Sequence, residues 1–233
     1  MKIIDTKTGK RVGQETKEIN KKLKEEDPIL RNATKELDQE ELSPMDPPEA
    51  YDINNPGEVN RSDYHQLIDQ YMTEHEAAGK VIDEFEKAMK AFKESGYQLS
   101  NQINEPLRTF FEFFENNLLD HNRREERELF PLLHQRLIES GEHSEADDPT
   151  TAVDMMEDDH VKFIQLGSLC FNLLGLAARL PDPSSRQFTF DVAFDNAREL
   201  IETIRLHIYR EEHVLFPLAH RLISSSEMDA MVD

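Results

Sequence analysis

An eleven-residue segment whose side chains could bind metal occurs twice in the chain. The first copy, residues 121–131, reads HNRREERELFP, and the second, residues 207–217, reads HIYREEHVLFP. Seven of the eleven positions are identical: the His, one Arg, both Glu and the Leu-Phe-Pro end. A His and a Glu four residues apart lie on one helical face, so they can offer a neutral nitrogen and an anionic oxygen to the same metal site. The repetition predicts a metal centre with internal two-fold symmetry.

Two further histidines precede these copies at matching positions. His75 follows Met-Thr-Glu and lies 46 residues before His121, and His160 follows Glu-Asp-Asp and lies 47 residues before His207. One helix–loop–helix unit is therefore used twice, and four helices would each contribute one inward histidine. The predicted metal ligands are His75, His121, Glu125, His160, His207 and Glu211.

Each copy carries two adjacent glutamates, so the bridging residue has two possible assignments. Glu125 and Glu211 follow their histidines by four residues, close to one helical turn of 3.6 residues, and are favoured. Glu126 and Glu212 follow by five residues, which also reaches back toward the same face. The spacing leaves the second assignment open.

The ligand set favours iron, although manganese and zinc stay open. Imidazole suits iron, zinc, copper and nickel, whereas carboxylates suit harder ions. Two ions that share two carboxylates would each keep open positions, unlike a closed structural zinc site of Cys and His. A ferritin-like diiron bundle needs Glu-x-x-His on two helices, and the sequence offers it once, at residues 157–160.

Apolar periodicity predicts four helices, at about residues 63–94, 104–139, 151–179 and 186–224. Short polar segments separate them, which indicates an all-α, up-down-up-down four-helix bundle. Pro131 and Pro217 fall inside the second and fourth helices and should interrupt both at the same place.

The chain divides into three predicted regions. Residues 1–60 hold 14 acidic and 10 basic residues and end in a Pro- and Asn-rich stretch, which predicts a poorly structured acidic N-terminal arm. Residues 61–225 form the bundle, and residues 226–233 are expected to be a flexible tail.

Composition narrows the partners and the compartment. A net charge of −21 argues against nucleic acid and an anionic membrane surface, since both would repel the chain. The sequence shows no apolar run of 18 residues and no signal peptide at its start. The lone Cys170 cannot form an internal disulfide, which favours a cytoplasmic location.

The motif His-x-x-x-Glu-Glu-x-x-Leu-Phe-Pro, with an acidic residue and a His on the preceding helix, resembles the hemerythrin-like family of HHE cation-binding domains. The resemblance covers about residues 62–224 and implies a four-helix bundle with a non-haem, oxo- or hydroxo-bridged diiron centre. It implies that His75 and His121 bind one iron, that His160 and His207 bind the other, and that two glutamates bridge them. Those bridging residues would be Glu125 and Glu211.

The chain departs from the oxygen-carrying hemerythrins. Those proteins place two histidines four residues apart on the third helix and His-x₄-Asp on the fourth. Here Ile164 lies four residues after His160, and the fourth helix has His-x₃-Glu. The ligand pattern is most similar to that of the bacterial diiron iron-centre repair proteins linked to nitrosative stress. Those proteins usually carry an N-terminal cysteine-bearing domain, and this chain has no Cys before position 170.

These observations predict a diiron protein that binds or reacts with O₂, NO or peroxide in stress response, sensing or iron handling. One alternative is a metal-dependent regulatory module whose site orders the bundle for a protein partner, through residues 1–60. Another is an oxygen storage protein. No sequence feature supplies a substrate pocket or a proton shuttle, so the sequence does not decide whether the chain is an enzyme.

Several other aromatic residues and histidines of the same helices are predicted to have structural roles rather than to bind metal. Tyr71 lies one turn before His75 and is expected to pack in the core. Phe110 and Phe114 precede His121 and could shield the centre from water. His134 and His220 each lie thirteen residues after a predicted ligand, about 20 Å along the helix, which is too far to reach the same ions.

Overall fold

A computed structural model describes residues 59–144 and 149–232 of the chain, and within these ranges all regular secondary structure is helical. The predicted N-terminal arm, apart from its last two residues, lies outside the described residues. The four predicted helices and the all-α class are confirmed.

Helices in the described ranges form four long segments, two of which are interrupted. The first segment is α1, the second comprises α2, α3 and α4, the third is α5, the fourth comprises α6 and α7, and a short α8 follows. The bounds are α1 Gln66–Glu94, α2 Asn101–Phe113, α3 Leu119–Arg127, α4 Leu129–Ser140, α5 Ala152–Arg179, α6 Pro183–Arg210, α7 Phe216–Leu222 and α8 Ser225–Val232. Helix α1 packs against α2 and α6, and α5 packs along α6.

Local capping sets where the third and fourth segments begin. The Thr151 hydroxyl accepts a hydrogen bond from the Val153 N–H, and the Asp154 carboxylate accepts one from the Thr151 N–H. These two reciprocal hydrogen bonds form a capping box at the start of α5. Asp182 accepts from the Ser185 N–H ahead of Pro183. Proline is well suited to a first helical turn, so α6 begins three residues earlier than the sequence predicts.

The apolar core fills the bundle on one side of the candidate ligands. Phe85 of α1 stacks on Phe110 of α2 with ring centroids 3.8 Å apart. Gly167 of α5 lies under Phe114, where an added Cβ would come within 2.6 Å of the ring. A glycine is therefore required for α5 to approach this part of the second segment so closely.

Both predicted proline interruptions are present, but they take different forms. The second segment breaks at Glu128, three residues before Pro131, where φ and ψ are −103° and −67°. In the fourth segment a π-helical turn, Glu211–Leu215, lies immediately before Pro217 in α7. Proline lacks an N–H and its ring clashes with the carbonyl four residues earlier, which accounts for disrupted bonding in the preceding turn. A further π-helical turn, Phe114–Leu118, joins α2 to α3.

A helix occupies the segment for which the sequence predicts a flexible tail. Helix α8 starts after Ser224, whose N–H and hydroxyl both donate to the Glu227 carboxylate. The Arg136 guanidinium donates to Glu227 from α4 at 2.6 Å, and Met228 is buried. The Ser-x-x-Glu spacing is a capping signal that predicts a helix start here, whereas the few apolar residues of the segment favour a flexible tail.

Helix α5 is, in the described ranges, the one helix long and apolar enough by length and composition to cross a membrane. The helix nevertheless contributes His160, Phe163 and Cys170 to the interior of the bundle. Burial raises the pKa of the Cys170 thiol to about 12, so the thiol stays protonated and unreactive.

Candidate metal centre

The structure brings all six predicted ligand residues together in the bundle interior. Each of the four long segments supplies one histidine, and the second and fourth add a glutamate. All six are at most 4% exposed. Glu125 and Glu211 are completely buried among apolar helices, a position that is costly for a carboxylate without a compensating charge.

The six residues form two overlapping groups of four. In each group, one potential ligand atom per residue lies within 4.8 Å of all the others. One group contains His75 and His121, the other contains His160 and His207, and both contain Glu125 and Glu211. The Nε2 atoms of His75 and His121 are 3.1 Å apart, and those of His160 and His207 are 3.2 Å apart. Each histidine pair therefore converges on one point.

Each glutamate presents one oxygen to each histidine pair. Glu125 Oε1 lies 3.2 Å from His121 Nε2, and its Oε2 lies 3.6 Å from His160 Nε2. Glu211 Oε2 lies 3.1 Å from His75 Nε2, and its Oε1 lies 3.2 Å from His207 Nε2. Each carboxylate group therefore lies between the two histidine pairs.

The four glutamate oxygens have no partner with hydrogen-bond geometry among the described residues, despite these short distances. Buried carboxylate oxygens are normally satisfied by donors or by metal. The unpartnered oxygens of Glu125 and Glu211, together with the four histidines, are compatible with a metal site.

The second glutamate of each copy has a different position. Glu126 is 40% exposed and its Oε1 lies 2.8 Å from His160 Nδ1. Glu212 lies 3.0 Å from His75 Nδ1 in the same way. Both glutamates thus contact the outer nitrogen of a histidine from the other half of the bundle, while the structure places Glu125 and Glu211 at the centre.

Acidic residues that precede two of the histidines complete this outer ring. Glu74 Oε2 lies 2.6 Å from His121 Nδ1, and Asp159 Oδ2 lies 3.5 Å from His207 Nδ1. Three of the four histidines therefore have a carboxylate within hydrogen-bond distance of Nδ1, and Asp159 lies near the fourth, His207, without a hydrogen bond. A carboxylate that accepts the Nδ1 proton fixes the tautomer and leaves Nε2 free to bind metal.

The repeated arginine supports the outer ring. Arg124 Nη2 donates to Glu74 at 2.5 Å, and Arg210 Nη1 donates to Asp159 at 3.3 Å. Both arginines lie three residues after a histidine of the cluster. The Arg that is identical in the two copies thus holds the acid that orients that histidine.

Comparison with known families agrees with this geometry. Residues 58–133 match the family model of the hemerythrin HHE cation binding domain. This part of the chain is therefore similar to the hemerythrin HHE cation-binding domain. The match contains His75, His121 and Glu125, and the internal repeat supplies His160, His207 and Glu211 beyond it. No curated protein and no solved structure matches the chain significantly.

Aromatic rings from the Leu-Phe-Pro ends cover two histidines of this cluster. Phe130 stacks on His160 with centroids 5.8 Å apart, and Phe216 stacks on His75 at 5.7 Å. Each ring lies over a histidine from the other half of the repeat. Phe110 and Phe114, which by their spacing could shield the centre, lie in the apolar core.

Tyr71 packs in the core as the sequence predicts. Its ring meets His121 edge-on at 5.3 Å and stacks on Phe216, and it is fully buried. Its hydroxyl donates to Glu128 at 2.9 Å rather than to a residue of the cluster. Burial raises the pKa of Tyr71 above its ordinary range, so the phenol stays protonated.

Histidines outside the cluster have contacts of other kinds. The His134 Nδ1 atom lies 3.0 Å from the Thr151 hydroxyl, and His220 meets Tyr64 edge-on. His65 caps α1 by accepting from the Leu67 N–H. These contacts agree with the structural roles predicted for His134 and His220.

Electrostatics in the metal-free cluster favour protons on some histidines. Burial lowers the pKa of His121, but the carboxylates of Glu125 and Glu74 outweigh it and raise the pKa to about 10. Glu211 and Asp159 likewise raise the pKa of His207 to about 9 against the effect of burial. Burial lowers the pKa of His160, which stays neutral. Although burial opposes ionisation of Glu211, the neighbouring histidines hold its pKa well below the ordinary value.

Asn122, next to His121, is a buried polar residue that sequence reasoning missed. It is 4% exposed, and neither its amide nitrogen nor its oxygen has a hydrogen-bond partner among the described residues. The matching position in the second copy is Ile208. An unsatisfied buried amide destabilises a fold, because it loses its hydrogen bonds to water.

Replacing Asn122 with a nonpolar residue is expected to stabilise the protein. Asn122→Leu should raise the free energy of unfolding by about 1–2 kcal/mol, since it removes an unsatisfied polar group at similar shape. Urea denaturation of metal-free samples measures the change. Asn117→Leu, at an exposed position on the same segment, is the control and should not stabilise. Destabilisation by Asn122→Leu would mean that a bound water or ligand satisfies the amide.

Proposed function

We propose that this chain holds two iron ions in the cluster and that O₂, NO or peroxide reacts there. The observation that carries the proposal is the way in which Glu125 and Glu211 each direct one oxygen to each histidine pair. His75 and His121 would bind one ion and His160 and His207 the other.

The charge of the cluster supports two cations. Two fully buried carboxylates whose oxygens make no hydrogen bond among the described residues need positive charge nearby, which two cations would supply in place of the protons on His121 and His207. Two divalent ions supply more charge than the two carboxylates carry, and the acids around the Nδ1 atoms spread the excess outward. A single ion would leave one histidine pair unused.

The donor set supports iron and an available coordination position. Two imidazole nitrogens and two carboxylate oxygens give each ion four protein donors, a mixture that iron accepts readily. Bound iron would supply redox chemistry and Lewis acidity toward a small ligand. The protein itself fixes the donors through the carboxylates near each Nδ1 and keeps water away with Phe130 and Phe216.

A second candidate function follows from the position of the cluster. All four long segments contribute a residue, so a metal centre would tie the bundle together and couple metal binding to folding. The chain could then report metal occupancy to a protein partner. This metal-dependent regulatory module needs no reaction with a small ligand, which separates the two proposals by experiment.

Metal analysis of the purified protein tests the centre. We expect about two irons per chain, as the two histidine pairs require. His121→Ala and His207→Ala should each lose most of the metal because each removes one of the four protein donors to an ion. His143→Ala, in an exposed loop, is the control and should keep it. Full iron occupancy in both cluster variants would refute the assignment.

Spectroscopy then separates the two functions. The reduced iron form is exposed to O₂, NO and peroxide in turn while its near-ultraviolet and visible absorption is recorded. We expect a spectral change with at least one of them. A protein that binds two irons but responds to none of the three would have to act through its metal-dependent fold.

A further inference from the structure

Helix α5 carries an unusual surface on the side that does not face the bundle. In a chain that is 32% charged, a window of 18 residues would hold roughly six charged side chains, yet residues 161–178 hold one, Lys162. This window also gives α5 its apolar composition. A charge-poor stretch of this length in an acidic protein calls for a physical explanation.

Large apolar side chains in this window are exposed rather than buried. Phe171 is 59% exposed and Val161 is 53% exposed. Among the described residues, α5 accounts for most of the exposed large apolar side chains, and the α5 set is Val161, Ile164, Leu169, Phe171 and Leu176. Neutral polar residues lie between them, and these are Gln165, Ser168 and Asn172. We refer to these eight residues as the α5 face.

We propose that the α5 face binds a second copy of this chain and forms a symmetric dimer. A contiguous exposed apolar surface on a soluble-type bundle marks an interaction site. The net charge of the chain indicates which kind of partner binds this face. A cationic partner would bind the acidic surfaces that make up the net charge of −21, and it would gain nothing from an uncharged face.

A second copy, by contrast, is repelled by every acidic surface and can approach only where charge is absent. A two-fold interface places the same surface of both copies in contact, so any charge on it would face a like charge. The α5 face meets this requirement, because its eight residues carry no charge. The neutral Gln165, Ser168 and Asn172 side chains can hydrogen-bond across such a contact, whereas they would be poorly placed in a lipid bilayer.

Ser168 lies near the centre of this face. Val161 and Leu176 mark its ends, and the distance between them along the helix is about 23 Å at 1.5 Å per residue. Two antiparallel copies of α5 that cross at the midpoint would place Ser168 against Ser168 and Val161 near Leu176. One helix on its symmetry mate buries less than the roughly 1,600 Å² of a standard interface, so we expect a weak dimer whose population depends on protein concentration.

The apolar surface continues into a cavity at the end of the bundle away from the metal cluster. This cavity has a volume of about 480 Å³ and is lined in part by Phe111 of α2 and by Phe171 and Leu174 of α5. Phe111 and Phe171 meet edge-on with centroids 5.1 Å apart. The cavity lining also includes Arg108, Glu112 and Glu115, so the uncharged surface offered to a partner is the α5 face itself.

Paired charge variants at Ser168 test the proposal on the full-length chain. Sedimentation velocity should show wild-type protein moving from monomer to dimer as the protein concentration rises. Ser168→Arg and Ser168→Glu should each weaken self-association by at least about tenfold, because like charges meet at the axis. An equimolar mixture of the two variants should dimerise again, since opposite charges then meet. Ala91→Glu, on the exposed face of α1, is the control and should dimerise like wild type.

Salt gives a second signature of the same contact. Added salt screens the repulsion between two acidic chains and should strengthen the dimer, opposite to its effect on oppositely charged partners. A wild-type chain that stays monomeric at every concentration would overturn the proposal. So would Ser168 variants that dimerise like wild type, or wild-type protein that floats with neutral phosphatidylcholine vesicles in a manner abolished by Ser168→Arg. These results do not depend on which metal the bundle holds.

Discussion

Removal of bound metal by a chelator is expected to lower the midpoint of thermal unfolding by roughly 10 °C in mildly alkaline buffer. A ligand at about 1,000 times its dissociation constant stabilises a protein by about 4 kcal/mol. For a chain of this size, each 1 kcal/mol moves the midpoint by roughly 2–4 °C. Removal of the metal would also leave two completely buried carboxylates, Glu125 and Glu211, without bound cations.

The size of this effect should depend on pH in a defined direction. Without metal, the folded-state pKa values of His121 and His207 are raised to about 10 and about 9 from an ordinary value of 6.5. Folded protein therefore holds protons that unfolded protein has released between pH 6.5 and about 10. The stabilisation from these protons is fully present below pH 6.5 and is lost as pH rises through the folded-state values. Metal competes with these protons for His121 and His207, so the affinity for metal increases as the two histidines lose their protons.

The difference between the unfolding midpoints of metal-loaded and metal-free protein should consequently widen as pH rises from 6.5 toward 10. Differential scanning calorimetry of both forms at several pH values measures it. His143→Ala, outside the cluster, should reproduce the wild-type pH dependence. A difference that narrows over this range would show that His121 and His207 are not the groups that metal deprotonates.

The repeated motif allowed the helices and the clustering of six residues to be predicted. A periodic apolar pattern reports which face of each helix is buried, and a duplicated His-x₃-Glu reports that two such faces share one role. Neither signal requires knowledge of which helices are neighbours. For this reason His75 and His160 could be placed in the cluster from their spacing alone.

The contacts between different helical segments could not be predicted in the same way. Glu74 and Asp159 reach histidines on the following segments, and Glu126 and Glu212 reach histidines of the other half. These pairings depend on helix rotation and register, which a single sequence does not specify. The shielding by Phe130 and Phe216 depends on the interrupted helices before the prolines, and local periodicity does not describe those.

The arrangement assigns different roles to two adjacent and chemically identical glutamates. Glu125 directs an oxygen to each histidine pair, whereas Glu126 contacts only the outer nitrogen of His160. The same division holds for Glu211 and Glu212. A neutral glutamine in place of each residue keeps the shape and removes one charge, so matched substitutions isolate these roles.

Glu126→Gln is expected to weaken iron binding by about tenfold, the lower end of the range for residues that orient a ligand, because the amide oxygen can still accept the Nδ1 proton of His160. Glu125→Gln should weaken it by well over 100-fold, since an amide offers one good donor atom and cannot bridge two cations. Competition of each variant against a chelator of known affinity measures both values. Glu211→Gln and Glu212→Gln form the matching pair in the second copy. Equal losses of iron affinity within a pair, or a larger loss from Glu126→Gln, would show that the bridging role does not belong to Glu125.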